Sequence, residues 1–166
     1  AKLWDVGNPP PPIGVAVSGE QSATIAGLYA DVMIAVEPDG GLGAAFAEAG
    51  GRGKPRVGQV PISWDRSRDV AIARAHEQFR WFGGGWKVNA EIPSTAGFAA
   101  ASQYVTEDDI ADAISCGPDL DTHLKAISRF ADAGFTDVAL VQIGGQTQPE
   151  FLDWAEHELL PALRDA

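Results

Sequence analysis

The chain has 166 residues, 45% of them hydrophobic, which suits one globular domain with a sizeable core and excludes a disordered polymer. Its formal charge of −11 and pI of about 4.5 repel phosphodiester backbones and anionic lipid, so nucleic-acid and membrane partners are disfavoured. A single cysteine, Cys116, excludes a disulfide framework and a thiolate zinc site, and a reducing, cytoplasmic setting follows as the expectation.

Ala1-Lys2-Leu3-Trp4-Asp5 runs into Pro9-Pro10-Pro11-Pro12, so residues 1–12 read as a linker-like lead-in and 13–166 as the folded part. With no initiator Met and no signal peptide, the chain reads as a fragment cut from something longer. No apolar run approaches the ~20 residues of a bilayer span.

The first strand is expected over Ile13–Val17. It leaves through Ser18-Gly19 into a helix over Gln21–Ala30. That turn has two readings. A helix N-terminus carries unpaired N–H groups, so Ser18 and Gly19 suit the phosphate or polar tail of a cofactor. The plainer reading is an ordinary strand-to-helix turn with Ser18 or Ser22 as its cap. A second strand, Val32–Val36, ends at Glu37-Pro38-Asp39, the one close carboxylate pair at a strand end. The pair suits acid/base work or a hydroxyl-rich substrate, or else Asp39 caps the helix expected over Leu42–Ala49.

Arg56–Ser63 is the third strand, ending at Trp64-Asp65, and Ser67–Trp81 the long helix after it. Gly83–Ser115 then breaks the rhythm. It reads equally as a lid or binding loop and as a surface excursion with Trp81 and Trp86 packed on the core. Within it, Thr106 caps a short helix running through Ile114. A helix over Asp121–Ala133 stops at Gly134, the fourth strand spans Val138–Ile143, and Gln142, Gly144 and Gly145 stand at its end. The last helix, Pro149–Leu163, starts with Pro and Glu150 in its first turn.

Four strand–helix units imply an α/β chain with right-handed crossovers and a parallel sheet, its strands covered on both faces. Ligands in such folds lie beyond the carboxyl ends of the strands. His76, His123 and His157 fall on helices without metal-ligand spacing and read as surface or helix-face residues. Cys116 lacks an activating base beside it and reads as a small core or turn residue. No nucleophile elbow, P-loop or dinucleotide fingerprint is present.

One stretch is distinctive: Arg74-Ala75-His76-Glu77-Gln78-Phe79-Arg80-Trp81-Phe82 with Gly83-Gly84-Gly85-Trp86-Lys87-Val88-Asn89-Ala90-Glu91. Together with Ile13–Gly19, Cys116-Gly117-Pro118-Asp119, Gly134-Phe135-Thr136 and Gln142-Ile143-Gly144-Gly145, it resembles the C-terminal half of a luciferase-like oxidoreductase dependent on coenzyme F420, a deazaflavin. The branch it is most similar to is that of deazaflavin-dependent glucose-6-phosphate dehydrogenase. The resemblance implies a (β/α)4 half of a TIM barrel, strands five to eight, with an insertion near 83–115.

It further implies that Ala16, Val17, Ser18 and Gly19 contact the cofactor, F420 or in the alternative FMN. The catalytic histidine, glutamate and tryptophan of the family belong to the missing half. Where the sugar-phosphate enzyme carries a lysine for the substrate phosphate, this chain has Glu37 and Asp39, which repel one; Lys87 offers a cation from the insertion. The expected partners are a small substrate, with an alcohol as the expected class, and either the missing N-terminal half or a second copy in a homodimer. The rival expectation is a non-catalytic half-barrel that dimerises through exposed strand edges.

Overall fold

The computed structural model describes residues 7–165, without the side chains of Trp86, Lys87 and Asp165. The start of the expected lead-in, Trp4 included, lies outside the described residues. Strands and helices alternate as β1 (Gly14–Ala16), α1 (Glu20–Tyr29), β2 (Val32–Ala35), α2 (Gly40–Phe46), β3 (Arg56–Ser63) and α3 (Arg68–Phe79). They continue as α4 (Trp86–Asn89), α5 (Thr95–Ala101), α6 (Glu107–Ala113), β4 (Ser115–Cys116), α7 (Leu120–Asp132), β5 (Asp137–Gln142), α8 (Gln148–Trp154) and α9 (Leu160–Asp165). The chain forms two compact units, Ala1–Gln59 with Phe130–Val138, and Val60–Arg129 with Ala139–Ala166.

In the first unit β1 lies parallel to β2, with Gly14 beside Val32 and Ala16 beside Ile34. β2 lies parallel to the start of β3, with Met33 beside Arg56 and Ala35 beside Gly58. Their shared core is Ala23, Ala26, Met33, Ala35, Leu42 and Phe46, with Phe130 and Phe135 edge-on to each other at 5.2 Å. Each large side chain here contributes about 1.5–3 kcal/mol by leaving water. The small face of α1 allows close packing: a Cβ on Gly27 would stand 2.6 Å from the Phe46 carbonyl oxygen. The helix ends where Lys54 Nζ donates to the carbonyls of Gly27 and Ala30, at 3.1 and 2.8 Å, a lysine satisfying terminal carbonyls. The opposite face of α1 leaves Ile25, Leu28 and Tyr29 exposed.

In the second unit the end of β3 pairs in parallel with β4, Ile62 beside Ser115 and Ser63 beside Cys116. β5 also pairs with β3, and just past it the Ile143 N–H donates to the Ile62 carbonyl at 2.8 Å. Ala71, Ile72, Ala75, Ile110, Ile114, Cys116 and Ile143 form one apolar cluster, joined by Phe79, Phe82 and Val105.

The parallel α/β expectation is borne out, and the expected strands and helices all form, with ends shifted by a few residues. Three elements were not anticipated: β4, α4 and α5. Coverage on both faces holds for the end of β3, where Val60 and Ile62 are buried, and fails for β1, where Gly14 and Ala16 are exposed because no described element packs over them. His123 corrects the surface reading of the histidines: it is fully buried on α7.

Candidate functional site

In the first unit, β1 delivers Ala16–Gly19 to its carboxyl end. Ala16 is exposed, Val17 is buried, and Ser18 and Gly19 are half-buried. Gly19 caps α1 with an extended backbone, and the space its Cβ would take is open to 4 Å. The cap is Gly19, in place of the expected Ser18 or Ser22, and Ser22 stands at the third helical position and closes back on the turn. Its hydroxyl accepts from the N–H groups of Ser18 and Gly19, both at 3.2 Å, and donates to the Gly19 carbonyl at 2.9 Å. The N–H groups of Ser18 and Gly19 are therefore taken, and Glu20 adds a negative charge in the first turn. What this strand end presents is a flat, side-chain-poor backbone at Ala16, an open volume at Gly19, and the Ser18 hydroxyl. These features fit the face of a planar ring or a neutral polar edge better than a phosphate.

At the end of β2, Glu37 and Asp39 are both exposed. Asp39 caps α2, its Oδ1 accepting from the Gly41 N–H at 2.8 Å, as the plainer reading held. Glu37 keeps its carboxylate on the surface. Lys87 lies in α4, and its side chain is outside the described residues.

In the second unit the ends of β3 and β5 are joined by a buried polar network. Trp64 N–H donates to Gln142 Oε1, and Gln142 Nε2 donates back to the Trp64 carbonyl, each at 3.0 Å. Arg74, reaching over from α3, donates from Nη1 to Thr147 Oγ1 at 3.0 Å and to the Trp64 carbonyl at 3.3 Å, and pairs with Asp65 through Nη2. Gln148 Nε2 adds a bond to the Gln142 carbonyl at 3.0 Å. Gly144 has φ of 105°, and a Cβ there would collide with Arg74 Cδ, so the glycine pair serves the turn and the arginine. Gln142 thus faces the neighbouring strand end. Its role was unreadable because alternation along a strand loses meaning at the last residue before a turn.

Trp64 is 5% exposed and stacks on Trp154 at 5.4 Å, and its indole Nε1 is buried without a partner among the described residues. Beside it opens a cavity of about 510 Å³ lined by Arg66, Glu150, Asp153, Trp154 and His157 among others. The exposed His157 is held above the usual histidine range by hydrogen bonding to the Asp153 carbonyl and by the Asp153 charge.

His123 bridges two groups: Nδ1 lies 3.0 Å from Ser115 Oγ and Nε2 2.8 Å from the Gly117 carbonyl. The carbonyl can only accept, so Nε2 carries the proton and Nδ1 accepts from the serine. Burial holds the imidazole below its ordinary range. Cys116, next to Ser115, is buried, and burial pushes its thiol up to about 11. Neither group has access to a substrate, and both serve the core. Among the described residues no group of acidic, histidine or cysteine side chains is arranged to hold a metal ion, and no helix is long and apolar enough to cross a membrane.

No family model matches the chain. A curated protein, the F420-dependent hydroxymycolic acid dehydrogenase of Mycobacterium tuberculosis (strain ATCC 25618 / H37Rv), is 31% identical over 170 aligned positions, covering 98% of this chain and 46% of the relative. Among solved structures, an F420-dependent secondary alcohol dehydrogenase in complex with an F420–acetone adduct superposes with a TM-score of 0.60 at 21% identity, over 78% of this chain and 42% of that one. The coenzyme F420-dependent tetrahydromethanopterin reductase from Methanopyrus kandleri superposes with a TM-score of 0.66 at 18% identity, over 91% and 50%. The chain spans about half the length of the relatives it matches, and it shares their α/β fold of parallel strands.

Proposed function

We propose that this chain is the cofactor-side half of an F420-dependent oxidoreductase, a (β/α)4 array corresponding to strands five to eight of a barrel. The observation that carries the reading is the 31% identity to an F420-dependent dehydrogenase across nearly the whole chain, on a fold whose β1 end is open at Ala16–Gly19. When bound, F420 supplies a two-electron acceptor for a hydride. Ala16 and Val17 give the ring a flat backbone to lie against, Gly19 leaves room for its edge, and Ser18 offers a hydroxyl to a ring carbonyl or hydroxyl.

The substrate class we infer is an alcohol. Two of the similar proteins are named as dehydrogenases of hydroxylated compounds. Here Glu37 and Asp39 make the β2 end acidic, which repels a sugar phosphate and tolerates a neutral hydroxyl. Oxidation of the alcohol gives the carbonyl compound, with hydride going to the cofactor and the hydroxyl proton to a base outside this half.

The test titrates oxidised F420 into the purified protein, following quenching of its fluorescence, with FMN as competitor. Saturable F420 binding, weakened roughly ten-fold or more by Gly19→Trp, supports the reading. A folded protein that ignores F420, or binds it equally well as Gly19→Trp, overturns it. In a protein that carries this chain with the other half of the barrel, secondary-alcohol oxidation without turnover of glucose 6-phosphate supports the substrate class, and efficient turnover of the phosphate overturns it.

A second reading is a half-barrel assembly module. It rests on β1, which among the described strands pairs only with β2, and on the exposed Ile25, Leu28 and Tyr29 of α1. Sedimentation that gives a monomer at all concentrations removes this reading.

A further inference from the structure

The insertion that interrupts the strand–helix rhythm builds a cavity that the oxidoreductase reading does not use. The end of α3, the turn after it and α5 enclose about 510 Å³, within the size range of small-molecule pockets. α3 leads away from the β3 end, so this cavity stands roughly 18 Å along the helix from the strand terminus.

Its walls are Trp81 and Phe98, edge-on at 6.0 Å, with Phe79 behind Trp81 at 4.7 Å, and Ala99 beside them. Ser102 contributes no free polar group, since its hydroxyl donates to the Phe98 carbonyl at 2.7 Å. The other lining residues are polar: Glu77, Gln78, Arg80 and Thr95. Arg80 is half-buried there, and among the described residues its guanidinium has no hydrogen-bond or ion-pair partner. Glu77 is exposed and keeps its water. A partly desolvated cation beside an aromatic-walled cavity complements a molecule with an apolar tail and one anionic head.

We propose that this cavity binds the acyl chain of a long-chain carboxylate, with Trp81, Phe98 and Ala99 around the chain and Arg80 on the carboxylate. The site lies away from the β3 end and its proposed ligand is not F420, so it stands or falls independently of the proposed activity.

The experiment titrates the purified protein with dodecanoate and with dodecanol, below their aggregation concentrations, by calorimetry. The Trp81 indole N–H resonance, assigned through Trp81→Phe, is followed alongside. Saturable dodecanoate binding that shifts this resonance is expected. Ala99→Trp, which fills the cavity from an exposed helix position, weakens it roughly ten-fold or more. Arg80→Gln weakens dodecanoate roughly five-fold and leaves dodecanol unchanged. Absence of saturable binding to the folded protein, binding that survives Ala99→Trp, or a resonance that does not move overturns the site. Equal affinity for dodecanol and dodecanoate overturns the role of Arg80.

Discussion

Gln142 and Trp64 satisfy each other across the ends of β5 and β3: the side-chain amide of Gln142 takes both the N–H and the carbonyl of Trp64. Both residues are buried, so neither backbone group has water as an alternative. Gln142→Met keeps the volume and removes both bonds. An orphaned group costs about 1–3 kcal/mol, and Arg74 still serves the carbonyl, so the loss expected is that of the Trp64 N–H alone, about 1–3 kcal/mol. Urea unfolding measures it. A change below about 0.5 kcal/mol would mean that the strand ends are held together some other way.

Gly144 and Arg74 define a second test. Alanine at 144 meets the Arg74 side chain and must also adopt a φ of 105°. Gly144→Ala alone should cost about 1–3 kcal/mol from the backbone alone, with the collision added. With Arg74→Ala also present, the collision vanishes and the strain remains. The double variant is therefore expected to be more stable than the sum of the two single changes predicts. Strict additivity in the cycle would show that the two side chains do not contend for one space.

Much of this architecture was readable because its signals are local. β3 matched its expected bounds because Val57, Val60 and Ile62 lead up to Trp64-Asp65, and α7 stopped where Gly134 takes a left-handed φ of 83°. The Asp39 cap was equally plain, since a short acidic side chain before Gly40-Gly41 has an N–H within reach. What escaped was set by pairing at a distance. β4 is two residues long and exists only because Ser115 and Cys116 lie beside Ile62 and Ser63, 53 positions earlier in the chain. Nothing local marked Arg74, and only the fold brings it to Asp65 and Thr147. His123 was misjudged because α7 is strongly amphipathic, and a histidine on such a helix sits on either face until Ser115 and Gly117 are placed beside it.

The two histidines should titrate in opposite directions. Burial holds His123 below the ordinary value of about 6.5, whereas Asp153 holds the exposed His157 above it. For His123 the unfolded chain binds the proton first as pH falls. The stability it contributes is therefore complete above about pH 6.5 and is lost as pH drops from there toward its folded value. Unfolding free energies measured from pH 8 to 5 should decline over that window, and His123→Gln should flatten the decline while lowering stability at pH 8. Imidazole proton resonances provide the direct check, with His157 shifting first on acidification and His123 last. The reverse order would contradict the buried neutral tautomer.

Cys116 should behave as a reporter of opening. Its thiol is pushed up to about 11 by burial, against the pull of Arg68 and Arg74. At pH 8 roughly a thousandth of it is thiolate, and a residue only 5% exposed offers little access to a reagent. In the folded protein, modification by iodoacetamide should be slower than in urea-unfolded chain by orders of magnitude. Its rate should follow the opening of the cluster formed with Ile114 and Ile143. Ile114→Ala, which hollows that cluster, is expected to raise the rate, while Leu152→Ala, at an exposed position on α8, leaves it unchanged. Fast labelling of the unmodified protein would mean that Cys116 is reachable without opening, and the packing of β4 against β3 would need revision.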